Sequence, residues 1–212
     1  MKQETKRRTG FFFPTKTAVV LSMLIFIIAA GTSAFRKEDV PVRKITFNAE
    51  NREKSLKAFE TVYNVLMSPR CMNCHPAGDV PLQGDDSHLH VMGPKRGTDG
   101  KGVYAMKCSN CHQETNTPGL HTPPGNPEWH LPPADMKMVF EGKSAHELAM
   151  QLVDKKKNGN KDFKKLIEHA DDGLVLAGWN PGEGRTLPPV SHAEFKKAWL
   201  TWIKEGAFAP EK

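Results

Sequence analysis

Apolar side chains recur at helical spacing in several stretches of the chain. From Asn51 to Met67, Leu56, Phe59, Tyr63 and Leu66 fall at offsets of three, seven and ten, which draws one stripe along a helix expected to lead straight into Cys71. Ser191-His192-Ala193-Glu194 has the spacing of a capping box, and behind it Phe195, Ala198, Trp199, Trp202 and Ile203 repeat at offsets of three, four, seven and eight. A second capping box, Ser144-Ala145-His146-Glu147, opens a helix expected to reach Lys157, with Leu148 and Leu152 facing inward and Asn158-Gly159 closing it. Phe163 to Ala170 reads as a shorter helix.

Between Pro76 and Pro133 the texture changes to Gly, Pro, Asn and His, and no regular element is expected beyond a short helix near Gly102 to Cys108. Alternating strand patterns are nearly absent. The expected class is all-α, with long Gly/Pro-rich loops that something other than their own side chains must organise.

The first residues follow a different rule. A basic stretch (Lys2, Lys6, Arg7, Arg8, Lys16) precedes an apolar run from Ala18 to Ala30 and a small-residue end, Gly31-Thr32-Ser33-Ala34. That layout marks residues 1–34 as a signal peptide or, if uncleaved, an N-terminal membrane anchor, since the run out to Phe35 approaches the roughly 20 apolar residues that a span needs. Both readings place residues 35–212 outside the cytoplasm, periplasmic and either soluble or tethered to the inner membrane. No cysteine follows the run to take a lipid, and Phe11 lies one place late for a twin-arginine signal.

A chain of 212 residues leaves room for one domain after that segment and excludes a large multidomain enzyme. The formal charge of +6 is concentrated at the start: residues 1–34 hold five basic side chains and one acid, a net of +4, which leaves +2 for the rest. No basic patch interleaved with aromatics is present, so nucleic acid is not expected as a partner.

Cys71-Met72-Asn73-Cys74-His75 and Cys108-Ser109-Asn110-Cys111-His112 are two copies of C-x-x-C-H, the attachment signature of c-type haem, and together they use all four cysteines. Two thiols three residues apart reach the two vinyl groups of one porphyrin, and the adjacent histidine then presents its imidazole to the iron. A four-ligand zinc site is a competing use of the thiols, but it needs no histidine directly after each pair. A thioredoxin-like dithiol wants a βαβ context that the chain lacks, and two structural disulfides, the plain alternative for an exported protein, stand with it below the zinc reading. Two covalent haems also explain the middle of the chain, because a macrocycle supplies apolar surface to a sequence of mean hydropathy −0.52.

His75 and His112 are the expected proximal ligands. His88, His90 and Met92 between the motifs, and His121, His130, Met136 and Met138 after them, are the candidates for the opposite positions, where Met raises the potential and His lowers it. His90 is favoured for one haem and Met136 for the other, Pro132-Pro133 stiffening the approach to Met136; His130 and Met92 are the reserves. Met106 is expected in packing and His146 on a helix surface. Arg185 is set either to reach a haem propionate or to form a surface salt bridge.

At Cys71 to His75, Gly84-Asp85, Cys108 to Gln113, Trp129-His130-Leu131-Pro132-Pro133, Trp179-Asn180-Pro181-Gly182 and Pro188 to Phe195, the chain resembles dihaem c-type cytochromes, in particular small exported proteins labelled isoquinoline 1-oxidoreductase subunits. The resemblance covers most of the chain after Phe35. It implies an electron-accepting subunit served by a molybdenum hydroxylase, although no molybdenum-binding sequence is present in the chain itself. The expected function is electron transfer between redox donor and acceptor proteins, with little substrate turnover of its own; the alternative is a dihaem enzyme of peroxidase type with one open haem. A haem-based sensor has no signalling domain to support it.

Overall fold

The computed structural model describes residues 48–212, so the signal or anchor expected at 1–34 lies outside the described residues. The helices are α1 (Ala49–Leu66), the single turn α2 (Pro69–Met72), α3 (Ala145–Val153), α4 (Phe163–His169), α5 (Gly173–Ala177) and α6 (His192–Lys204). Two antiparallel hairpins stand between α2 and α3: β1 (Leu82–Gln83) with β2 (His88–Leu89), and β3 (Gly102–Val103) with β4 (Met106–Lys107). Helix accounts for only 36% of this part of the chain, and two small sheets accompany it, so the expected all-α class gives way to a mixed arrangement.

The core is a helix crossing. Phe59 of α1 meets Trp202 of α6 with ring centroids 4.9 Å apart, and Val62, Val65, Leu148, Trp199 and Phe195 close around them. Ser55 is fully buried in this contact and is satisfied twice: its hydroxyl donates to Trp202 O at 3.1 Å and accepts from Phe208 N at 3.1 Å. The buried indoles find acceptors, Trp199 on Leu166 O and Trp202 on Phe208 O, and so does the half-buried Trp179, on Val190 O. The inward face of α1 is rotated from the expected stripe: Val62 and Val65 are buried, whereas Leu56 is only half-buried. The residues expected inside α6 are buried as expected, Ala198 excepted, which is half-buried.

Boundaries depart from the pattern where the backbone has a better option. α1 stops at Leu66 because Pro69 has no N–H for the ladder and instead starts α2 at its first position, with Ser68 as the cap. α3 ends at Val153 instead of Lys157: buried Asn158 turns the chain by donating to Leu152 O and Lys161 O and accepting from Lys161 N. The capping boxes at Ser144 and Ser191 are both formed. The helix expected near Gly102 to Cys108 is the β3–β4 hairpin, turned through Tyr104 at φ 45°, followed by a 3₁₀ turn at Cys108–Asn110. Its turn is Tyr-Ala, with neither Gly nor Asn to announce it.

Backbone contacts, more than apolar packing, organise residues 76–133. Leu82 and Leu131 are its buried apolar side chains among the hydrophobic core residues. Arg96, 1% exposed, donates to Gly78 O and Pro132 O and so ties two distant loops together. At Gly100, φ is +77° and a Cβ would lie 1.9 Å from Leu131 O, so only glycine allows the approach that Leu131 N→Gly100 O holds at 3.0 Å.

Candidate haem-attachment sites

Each motif is set on a short helical turn that aims its histidine at a neighbouring loop. In the first, Cys71 and Met72 N–H groups bond to Ser68 O, and His75 N follows on Met72 O. In the second, Cys111 N and His112 N both bond to Cys108 O. The four thiols carry no disulfide.

The two imidazoles are treated alike. His75 Nδ1 donates to Met138 O at 2.6 Å, and its ring stacks on Phe140 with centroids 3.9 Å apart and planes 11° from parallel. His112 Nδ1 donates to Pro124 O at 2.7 Å, and its ring stacks on Trp129 at 4.1 Å and 10°. A proton held on Nδ1 by a carbonyl leaves the Nε2 lone pair available to a metal, and the stacked ring fixes the orientation of the imidazole. Burial, the larger cause, outweighs the carbonyl bond and pushes the His75 pKa down to about 4; burial lowers that of His112 as well. Both rings are therefore neutral near pH 7, as a metal ligand must be.

The thiols of the first motif oppose the dithiol reading. Burial pushes the Cys71 thiol up to about 12 and the Cys74 thiol to about 11, the opposite of the lowered pKa that a reactive dithiol needs. Among the described residues no three His, Cys, Asp or Glu side chains gather to hold a metal ion, whereas a structural zinc site needs four ligands. A porphyrin brings four nitrogens of its own and asks the protein for one or two axial ligands, a demand that these side chains fit.

Of the candidates for the opposite face, His90 is brought to a motif. Its ring centroid lies 6.5 Å from that of His112, with the planes at 66°. Met92 is 63% exposed and contributes its backbone N–H to His90 Nδ1 at 3.3 Å. His130 turns its Nδ1 onto Glu128 O of its own loop. Met136 lies beside the 159–161 turn, its Cγ 3.9 Å from where a Cβ of Gly159 would stand, and Met138 packs against the helical core. His88 pairs with Asp86 at 2.6 Å, and the ring of His121 covers Gly184. His146 bonds to Pro210 O and His192 to Ala170 O, both structural contacts. Met106 is exposed, not packed as expected. Among the described residues Arg185 forms no salt bridge; its guanidinium donates to Pro181 O at 3.1 Å and Thr122 O at 2.7 Å.

Sequence spacing does not point to the stacking roles of Phe140 and Trp129 or to the acceptor roles of Met138 and Pro124. Trp129 stands in a stretch already noted for resemblance; Phe140 had no local signal, since its role depends on a contact 65 positions away. Two surface depressions, of about 670 Å³ beside Ser144 and about 430 Å³ along α1, lie at neither motif, and Glu147 and His146 at the first are already committed to structural bonds. No family model, curated protein or solved structure matches the chain.

Proposed function

We propose that this chain carries two covalently attached haems and transfers electrons between partner proteins outside the cytoplasm. The observation that carries this reading is the repeated arrangement at His75 and His112, in which a C-x-x-C-H histidine is neutral, donates Nδ1–H to a backbone carbonyl and stacks on an aromatic ring. Zinc, disulfide and dithiol chemistries do not call for that arrangement twice.

A haem at each motif supplies a reversible ferric–ferrous couple. Cys71 and Cys74, and likewise Cys108 and Cys111, would hold it by thioether bonds, each S–H bond and vinyl C=C π bond giving way to one C–S and one C–H bond. His75 and His112 would hold its iron through Nε2, while Phe140 and Trp129 keep each ring from rotating. Molybdenum hydroxylases are the donor class to which the sequence resemblance points, and the amino-terminal segment is the expected route of export or tethering. Among the described residues no helix is long and apolar enough to cross a membrane.

The test is mass spectrometry of the natively matured protein together with a pyridine haemochrome count. Two haems per chain are expected, and a mass equal to that of the bare processed polypeptide would falsify the reading. A peroxidase-type enzyme would retain two haems but turn over peroxide rapidly, which separates it from a carrier.

A further inference from the structure

We infer that His90 is the axial ligand opposite His112, so that the haem attached at Cys108 and Cys111 is held between two imidazoles; this rests on the dihaem reading above. The geometry is the starting point. With a metal–nitrogen bond of about 2.0 Å and roughly 1.2 Å from nitrogen to ring centre, an ion held between two imidazoles separates their centroids by about 6.4 Å. The His90 and His112 centroids are 6.5 Å apart. The planes stand at 66°. Edge-to-face rings also sit about 4.5–7 Å apart, so the spacing is one that a ligated ion requires without being unique to it, and the anchoring of the loop that carries His90 adds the second argument.

The backbone explains why His90 stands there. Leu82 N bonds to Asn73 O inside the first motif, Asn73 Nδ2 donates to Gly84 O, and Arg70 donates to Gly84 O and Asp85. These bonds root the β1–β2 hairpin on the first attachment site. Directly after β2, His90 N bonds to Pro81 O at 2.9 Å and Gly93 N to His90 O at 2.8 Å, which fixes the backbone on both sides of the imidazole. A hairpin anchored at one motif thus delivers a ligand to the other. The side chain itself is lightly held: Met92 N reaches Nδ1 at 3.3 Å, long for a hydrogen bond, and that contact is exchanged when the proton moves to Nδ1 and Nε2 takes the metal.

The test uses full-length matured protein and its His90→Gly variant. The haemochrome count decides the parent reading and is expected to remain at two haems in both. In His90→Gly, one of the two haems is expected to change from low-spin to high-spin in electron paramagnetic resonance and to bind carbon monoxide when reduced, and added imidazole is expected to restore the low-spin signal. In His90→Met, the second haem is expected to stay low-spin with a raised potential. Two low-spin, carbon monoxide-insensitive haems in His90→Gly overturn the assignment, as does a wild-type second haem that is already high-spin. Failure of imidazole to restore the signal also overturns it, because the loss then reflects a disturbed loop.

Discussion

The two motifs share a local design and differ in what stands behind it. His75 leans on Phe140, which is 5% exposed and belongs to the helical core, and Cys71 packs against that same core. His112 leans on half-exposed Trp129, takes its carbonyl from a proline-rich loop, and has an exposed Cys111 beside it. The first site is therefore an extension of the folded helices, and the second is held by backbone bonds among loops. Burial is one of the levers on haem potential, so on the proposed reading the two near-identical motifs would give their haems different potentials.

The strongest way to break this contrast is to remove each attachment separately. Cys71→Ala with Cys74→Ala, and Cys108→Ala with Cys111→Ala, are each expected to halve the haem count. The first pair should also lower the helical melting temperature markedly, the second only slightly. Equal losses by circular dichroism would show that the two sites are equally tied to the core.

Truncating the stacked rings asks the same question with the haems in place. Phe140→Ala removes a buried core side chain and is expected to cost about 3–5 kcal/mol. Trp129→Ala loses mainly a stacking contact, worth about 0.5–1.5 kcal/mol beyond burial. Urea midpoints measure the difference, and a Trp129 variant as damaged as the Phe140 variant removes the distinction.

Gly100→Ala sharpens the loop side of the comparison. The added methyl would meet Leu131 O in a left-handed conformation, a strain of about 1–3 kcal/mol. Faster amide hydrogen exchange is expected near residues 96–103 and 129–133, with α1 and α6 unchanged. Exchange that quickens throughout α1 and α6 would mean that loops and core unfold as one unit.

The smallest effect concerns the helices alone. Hydrogen bonds from Ser144 and Ser191 hold Glu147 and Glu194 below the ordinary value of 4.5. The unfolded chain takes up these protons first, so the capping contribution is complete well above pH 4.5 and fades as pH falls through the lowered values. Glu147→Gln and Glu194→Gln variants should show a shallower loss of stability with acid below pH 5 than the parent; parallel acid titrations would assign that loss to other carboxylates.

Sequence and structure agree best where information is local. Capping boxes at Ser144 and Ser191, the inward face of α6 and both C-x-x-C-H motifs depend on residues within one or two helical turns, and all of them could be read directly from spacing. Expectation and structure part where a turn carries no signal, as at Tyr104-Ala105, and where one residue overrides a pattern, as Asn158 does beyond α3. The all-α expectation failed for the same reason: two-residue strands are too short to show alternation, and their pairing partners decide them.

The chain's order of residues by itself determined that four thiols stand in two pairs, each followed by an imidazole, and that a strongly amphipathic helix closes the domain. Only tertiary structure decided which carbonyl receives each Nδ1 proton, Met138 at a separation of 63 residues and Pro124 at 12, and that His90 meets His112. The physical reason is that spacing along a chain fixes distance only over a few bonds. Beyond that reach, a contact exists when closing the loop is repaid by burial and hydrogen bonds elsewhere, here the packing of α1 on α6 and the bonds that root the first hairpin at Asn73.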